Sequence, residues 1–459
     1  MASGTKNYDI VILGGGSGGY ACALRAAELN LSVALIERDK VGGTCLHRGC
    51  IPTKALLHAA EIADQTRESE KFGIRATLDG IDLPGVLSYQ RKVVTRLYKG
   101  LQGLIGSKAI DFVAGDGRLI APNSVQVGDT VYQGRHVVLA TGSEARSLPG
   151  LDIDHERVLN SDDALQLESV PRSVVILGAG AIGVEFASVW KSFGAEVTIV
   201  EALPRLLPAE EESSSKLIER AFRRRKINSK LGARFEGVKS TDSGVVVTLE
   251  GGETIEAEML LVAIGRGPVS ADLGYEQAGV AMERGFVTTN EYCATNVPNV
   301  WAIGDLIPTL QLAHVGFAEG ILVAEKIAGL NPPPIDYDGV PRVTYSEPEV
   351  ASVGITSTEA TRRGYDIKTV TYDLAGNGKS QILGTAGAVT LVAAKDGPVL
   401  GVHMVGSRVG ELIAEAQLIT NWEATADDVA ALIHPHPTMS EALGEAHLAL
   451  AGKPLHAHG

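Results

Sequence analysis

The chain has 459 residues, 45% hydrophobic and 21% charged, which suits about three globular domains of ordinary size and excludes a disordered polymer. Its 41 Lys plus Arg against 55 Asp plus Glu leave a formal charge of −14, so neither non-specific nucleic-acid binding nor a polybasic membrane anchor is expected. Four cysteines are too few for a disulfide scaffold, no apolar run approaches the ~20 residues of a membrane span, and the opening MASGTKNYDI lacks a basic-then-apolar leader, so a cytoplasmic protein is expected.

The first element in chain order is a duplicated one. Residues 9–37, DIVILGGGSGGYACALRAAELNLSVALIE, return in kind at 173–201, SVVILGAGAIGVEFASVWKSFGAEVTIVE. Each copy reads as a short β-branched strand, a G-x-G-x-x-G turn, an amphipathic helix and a second strand ending in Glu. The interval from first Gly to final Glu is 23 residues in both, Gly14 to Glu37 and Gly178 to Glu201. Such a repeat predicts two dinucleotide-binding domains. Gly14 and Gly178 suit the tight turn, Gly16 and Gly180 the approach of a pyrophosphate, and Gly19 and Gly183 close helix–strand packing. The pyrophosphate would sit at a helix N-terminus, where free N–H groups and the helix dipole favour negative charge. Glu37 and Glu201 would accept from ribose hydroxyls, and a carboxylate at 201 repels a 2′-phosphate, favouring NAD over NADP. Arg205, four residues on, reads as a loop charge. Two sites in one enzyme are economically filled by FAD and NAD, with FAD in the first because a cysteine motif follows it directly.

That motif is GGTCLHRGCIPTK at 42–54. A single intracellular Cys is usually a small buried hydrophobe, which suits Cys22 and Cys293. Cys45 and Cys50 read instead as a redox pair. On a regular helix their Cα atoms would lie beyond the ~7 Å limit for a disulfide, so bridging requires a distorted turn that Gly49 could permit. A strained, accessible bridge is easily reduced and suits catalysis. Arg48 reads equally as a thiolate-stabilising cation and as a surface charge.

Further along, the polar stretch 144–172, with proline near both ends, separates the two nucleotide units. Residues 240–256 alternate apolar and polar, predicting a β-meander that closes the second domain. The proline-rich text from 331 marks a boundary, and 341–459 reads as an α+β domain. Within it, HPHPTMSE at 434–441 places His436 five residues before Glu441, a spacing that suits a base oriented by a carboxylate. Thr438 could cap the helix that follows. His434 and His447 read as non-catalytic.

GGGSGG at 14–19, GGTCLHRGCIPTK at 42–54, ATGS at 140–143, GAGAIGVE at 178–185, AIGR at 263–266, AIGD at 302–305, LAH at 312–314 and HPHPTMSE at 434–441 together resemble the pyridine nucleotide–disulfide oxidoreductases over essentially the whole chain. The resemblance implies a glutathione reductase-like α/β fold with two Rossmann-like domains plus an α+β dimerisation domain. It implies an FAD-binding domain at 1–150, an NAD-binding domain at 151–276, a central segment at 277–340 completing the FAD domain, and a dimer-interface domain at 341–459. It implies FAD contacts from Glu37, Lys54, Gly117, Thr141, Gly142, Asp305 and Ala313. NAD would be held by Gly178, Gly180, Ile182, Gly183, Glu201 and Gly265, with no metal required. Lys54 would pair with Glu185 beside the flavin, and His436 would act at the active site of the opposite subunit of a homodimer.

Within the family, the resemblance implies oxidation of dihydrolipoyl groups with reduction of NAD. Cys45 would be the interchange thiol and Cys50 the flavin-proximal one. The partner implied is the lipoyl domain of a 2-oxoacid dehydrogenase acyltransferase or a glycine-cleavage carrier protein. His47-Arg48 replaces the Asn-Val of many relatives, a departure that bears on specificity and thiol potential. Glutathione and mercuric reductases share the fold. Glu201 opposes the NADP of the former, and the C-terminal AGKPLHAHG lacks the second cysteine pair of the latter. A flavin-binding redox sensor or scaffold is the alternative of a different class, against which the intact Cys45, Cys50, His436 and Glu441 argue.

Overall fold

A computed structural model describes residues 4–456; residues 1–3 of the opening segment and 457–459 of AGKPLHAHG lie outside the described residues. The chain forms two compact units. The first gathers residues up to 55, 85–146 and 266–337, and the second 56–84, 147–265 and from 338 onward.

The elements of the first third are β1 (Thr5–Leu13), α1 (Ser17–Glu28), β2 (Val33–Glu37), α2 (Gly43–Arg48), α3 (Cys50–Glu68), α4 (Leu83–Gly106), β3 (Ile110–Ala114), β4 (Gly117–Ala121), β5 (Ser124–Val127) and β6 (Thr130–Leu139). In the first unit, β1 lies between β2 and β6 and is parallel to both. β3 continues the parallel array beyond β2, and strand Val300–Ala302 continues it beyond β6. β5 and β4 add an antiparallel meander on β6. The continuous apolar run Ile10–Leu13 follows from this position, because a central parallel strand is buried on both faces. Each such side chain contributes about 1.5–3 kcal/mol of burial. α1 packs on helix Ala313–Ile327 through small residues: a Cβ on Gly320 would stand 2.4 Å from the Gly18 carbonyl oxygen, so only glycine lets the helices approach this far.

The second unit repeats the plan. Strands 227–231, 196–201, 173–177, 259–262 and 158–159 form one parallel sheet in that order. The expected meander is present as Phe235–Thr241, Gly244–Leu249 and Thr254–Ala257. The segment 144–172 is more than a separator. Val158–Leu159 forms the edge strand of this sheet, and Asn160 opens a short helix with a capping box that polarity alone did not reveal. The C-terminal part carries a five-stranded antiparallel sheet covered by helices Val409–Asn421 and Glu441–Leu450, an α+β arrangement.

Candidate functional site

In each parallel sheet the strand order reverses beside the first strand, and there the glycine turns sit. Gly14 (φ +110°) follows β1 and Gly178 (φ +107°) follows strand Ser173–Leu177. A Cβ at either would collide with a carbonyl oxygen, Ala140 at 2.2 Å or Ala263 at 2.4 Å. Glycine is therefore required twice over, by conformation and by space.

The carboxylates that end the two repeats are anchored alike. Glu37 Oε2 accepts from the Gly15 N–H (2.7 Å) and Oε1 from the Asp39 N–H (2.8 Å). Glu201 Oε2 accepts from the Ala179 N–H (2.8 Å) and Oε1 from the Leu203 N–H (2.8 Å). Each oxygen keeps a lone pair for a ribose hydroxyl. Arg205 donates to the Pro208 carbonyl (2.7 Å), so it is held within its own loop.

The residues expected to contact FAD, Gly14, Gly16, Gly19, Glu37, Lys54, Gly117, Thr141, Gly142, Asp305 and Ala313, all fall in the first unit. Those expected to contact NAD, Gly178, Gly180, Ile182, Gly183, Glu201 and Gly265, all fall in the second. Both turns fit a dinucleotide. The helices they open lack side-chain caps, and nothing lies within 4 Å of a Cβ built on Gly180. Backbone N–H groups thus face space that a pyrophosphate can fill. In an open α/β sheet this crevice beyond the strand ends is where ligands bind.

Behind the first crevice lies a polar chain that motif reading did not resolve. Arg266 Nε donates to Ser143 Oγ (2.7 Å), Arg266 Nη2 donates to the Ser143 carbonyl (2.6 Å), and Ser143 Oγ donates to Asp305 Oδ2 (2.5 Å). The last residues of ATGS, AIGR and AIGD are thereby locked to one another. Glu319 is fully buried. It accepts from the Gly304 N–H (2.5 Å), Thr309 Oγ1 (2.9 Å) and Tyr337 Oη (2.9 Å), fixing the turn that carries Asp305. Burial raises the Glu319 carboxyl against these donors. A lone Glu amid the apolar text HVGFAEGILVA was the signal that could have found it.

The cysteine pair occupies a helix break. α2 ends at Arg48, Gly49 leaves helical geometry (φ −145°, ψ −105°), and Cys50 begins the 19-residue α3. Both cysteines are half-buried thiols, and their sulfurs are hydrogen bonded. The bond to Cys50 raises the Cys45 thiol, burial and the charge of Cys50 raise it further, and Lys54 and the hydroxyl of Ser17 oppose them. Cys50, at the N-terminus of a long helix, is the sulfur placed to carry negative charge. Of the two readings of Arg48, the surface one holds: its guanidinium pairs with Asp39 (3.0 Å). Lys54 is the cation acting on Cys45. His47 Nε2 bonds the Val41 carbonyl (3.0 Å), and its ring meets Tyr98 of α4 edge-on at 5.0 Å. Tyr20, packed at 5.6 Å on Phe317, is a further neighbour of the pair. Burial, followed by the charges of Cys45 and Cys50, pushes its phenol up to about 12. Cys22 and Cys293 are buried, as expected.

In the second unit, the Nδ1–H of His436 donates to Glu441 Oε1 (2.8 Å), while Glu441 Oε2 accepts from the Thr438 N–H (2.7 Å). Burial works to raise the Glu441 carboxyl, but these two donors outweigh it and hold it below the usual range. The His436 side chain is 75% exposed, leaving Nε2 open to a substrate. Thr438 does not cap the helix. The helix begins at Glu441 after Ser440, and Thr438 Oγ1 donates back to the Pro435 carbonyl (2.7 Å). His434 bonds Glu415 (2.7 Å) and His447 bonds the Leu443 carbonyl (2.6 Å), both structural contacts. Glu185 is buried in helix Ala181–Phe193 and accepts from the Tyr345 N–H (2.9 Å). Among the described residues no helix is long and apolar enough to cross a membrane, and no cluster of metal-binding side chains occurs.

The family profile described as pyridine nucleotide-disulphide oxidoreductase matches residues 8–320, and that of the family's dimerisation domain matches 340–447. A dihydrolipoyl dehydrogenase of Bacillus subtilis is 42% identical, covering 98% of this chain and 99% of its own length. The mitochondrial dihydrolipoyl dehydrogenase 1 of Arabidopsis thaliana is 39% identical over 99% of this chain and 92% of its own. The crystal structure of LpdA from Mycobacterium tuberculosis superposes with a TM-score of 0.90 at 26% identity, covering 96% of this chain and 99% of that one. With two nucleotide turns, a thiol pair at a helix break and a His–Glu pair in the C-terminal domain, the chain belongs to the pyridine nucleotide-disulphide oxidoreductase family.

Proposed function

We propose that the chain oxidises the dithiol of protein-bound dihydrolipoyl groups to the cyclic disulfide and reduces NAD to NADH, as a homodimer containing FAD. The observation that carries this reading is the near full-length similarity to dihydrolipoyl dehydrogenases, joined to a hydrogen-bonded Cys45–Cys50 pair. The carrier is the lipoyl domain of a 2-oxoacid dehydrogenase acyltransferase or a glycine-cleavage carrier protein. The division into FAD-binding (1–150), NAD-binding (151–276), central (277–340) and dimer-interface (341–459) segments draws support from the grouping of 266–337 with the first unit.

His436 acts at the opposite subunit. Glu441 fixes the proton on Nδ1, so Nε2 accepts the proton of a substrate thiol. With Cys45 and Cys50 joined as a disulfide, the thiolate formed attacks Cys45 Sγ, the Cys45–Cys50 bond breaks, and Cys50 leaves as a thiolate favoured by the start of α3. The second substrate thiol then attacks the mixed disulfide, closes the product ring and releases Cys45. Bound FAD supplies the two-electron relay from the dithiol to NAD. Gly14, Gly16, Gly19, Glu37, Lys54, Gly117, Thr141, Gly142, Asp305 and Ala313 would hold FAD, Gly178, Gly180, Ile182, Gly183, Glu201 and Gly265 would hold NAD, and the resemblance implies a joint role for Lys54 and Glu185 in the flavin chemistry.

Initial rates test the reading. Dihydrolipoamide with NAD should far exceed both dihydrolipoamide with NADP and glutathione disulfide with NADPH. The reverse order would remove it.

A further inference from the structure

α4 is unlike the rest of this acidic chain. Its 24 residues include Arg91, Lys92, Arg96 and Lys99 and no Asp or Glu. Ser88, Arg91, Lys92, Thr95, Arg96 and Lys99 line one shallow groove, and all six are exposed. Positions three and four apart share a helix face, so the stripe runs along successive turns for about 16 Å. The opposite face is anchored in the protein by Leu87, Gln90 and Ile105.

Two features make this more than a solvated face. Solvated helices usually mix signs, so that each cation gains an acidic neighbour; here Lys92 and Arg96 are like charges one turn apart, as are Arg96 and Lys99, at a cost of about 0.2–0.5 kcal/mol per pair. None of the four cations has an ion-pair partner among the described residues, in a chain with 55 acidic side chains to offer. The helix is also tied to the redox segment, because Tyr98 between these cations packs on His47, two residues from Cys45.

We infer that this face of α4 is the docking surface for an acidic protein domain that carries the dithiol to the Cys45–Cys50 pair. The inference rests on the dithiol oxidation proposed above and names the surface its carrier meets. A free dihydrolipoamide molecule is uncharged and far shorter than the stripe, so the cations give it nothing. A negatively charged carrier gains both steering and orientation, which act on association more than on chemistry.

The test compares free dihydrolipoamide with an isolated acidic dihydrolipoyl domain as substrates of the FAD-loaded enzyme, across a series of salt concentrations. Two variants are used, one with Arg91→Gln, Lys92→Gln, Arg96→Gln and Lys99→Gln, the other with Glu at the same positions. For the domain, kcat/KM should fall about tenfold or more in the Glu variant, less in the Gln variant, chiefly through KM, and its salt dependence should flatten. Turnover of free dihydrolipoamide and the dimer's elution volume should not change. An unchanged KM for the domain overturns the inference. So does an equal loss for both substrates in the Gln variant, which assigns the stripe to the fold, or dissociation of the dimer, which assigns it to a second copy of the chain. Wild-type protein that turns over no free dihydrolipoamide would instead remove the functional reading on which the inference rests.

Discussion

Glu201 does at the second nucleotide turn what Glu37 does at the first: each carboxylate receives one N–H from the glycine turn and one from the residue two positions beyond it. Each carboxylate is thus held before any ligand arrives, so little side-chain freedom would be lost on binding.

Replacing Glu201 by Ala should therefore weaken NAD selectively. Loss of a charge-assisted hydrogen bond of about 1.5–3 kcal/mol raises KM for NAD by about tenfold or more and narrows the preference over NADP. Flavin content, read from the visible absorbance, should not change, because Glu37 and not Glu201 belongs to the first crevice. Steady-state kinetics with both nicotinamides check this.

Cys45→Ser should abolish dithiol oxidation while the protein stays yellow. Loss of flavin together with activity would mean that the thiol supports the fold rather than the chemistry. Retention of full activity would remove Cys45 from the mechanism.

His436→Gln should lower the rate with dihydrolipoamide by two to four orders of magnitude, roughly what a positioned general base supplies. Glu441→Gln should fall between this variant and the wild type, since the ring then loses its anchor but keeps Nε2. Initial rates of the two variants measured side by side distinguish the roles.

His447 ties stability to pH. Burial depresses its pKa from 6.5 to about 4, and its Nε2 has no hydrogen-bond partner among the described residues. The unfolded chain binds a proton more readily than the folded one, so stability is lost as pH falls from 6.5 through about 4, by about 3 kcal/mol in all. His447→Leu should flatten this part of the acid limb in urea unfolding followed at several pH values.

Much of this was legible in the sequence. The two repeats announced both sheets and both turns, because a parallel strand, its glycine turn and its terminal Glu are local in sequence. The cysteine pair was legible for the same reason, down to the break at Gly49. What escaped was long-range. Arg266 meets Ser143 across 123 residues of chain, and Glu319 gathers donors from three segments. Arg48 and Thr438 were ambiguous because a charge or hydroxyl has several partners within reach, and only the folded loop decides among them: Asp39 for one, the Pro435 carbonyl for the other.

The break at Gly49 also bears on which encounters the protein survives. Only four residues tether the two sulfurs, which are hydrogen bonded to each other across the helix break. A neighbour confined in this way competes as though present at on the order of 10⁵ M, a figure no freely diffusing thiol approaches. A stray thiol held on Cys45 as a mixed disulfide is therefore displaced by Cys50: the Cys45–Cys50 disulfide closes and the intruder leaves as a thiolate.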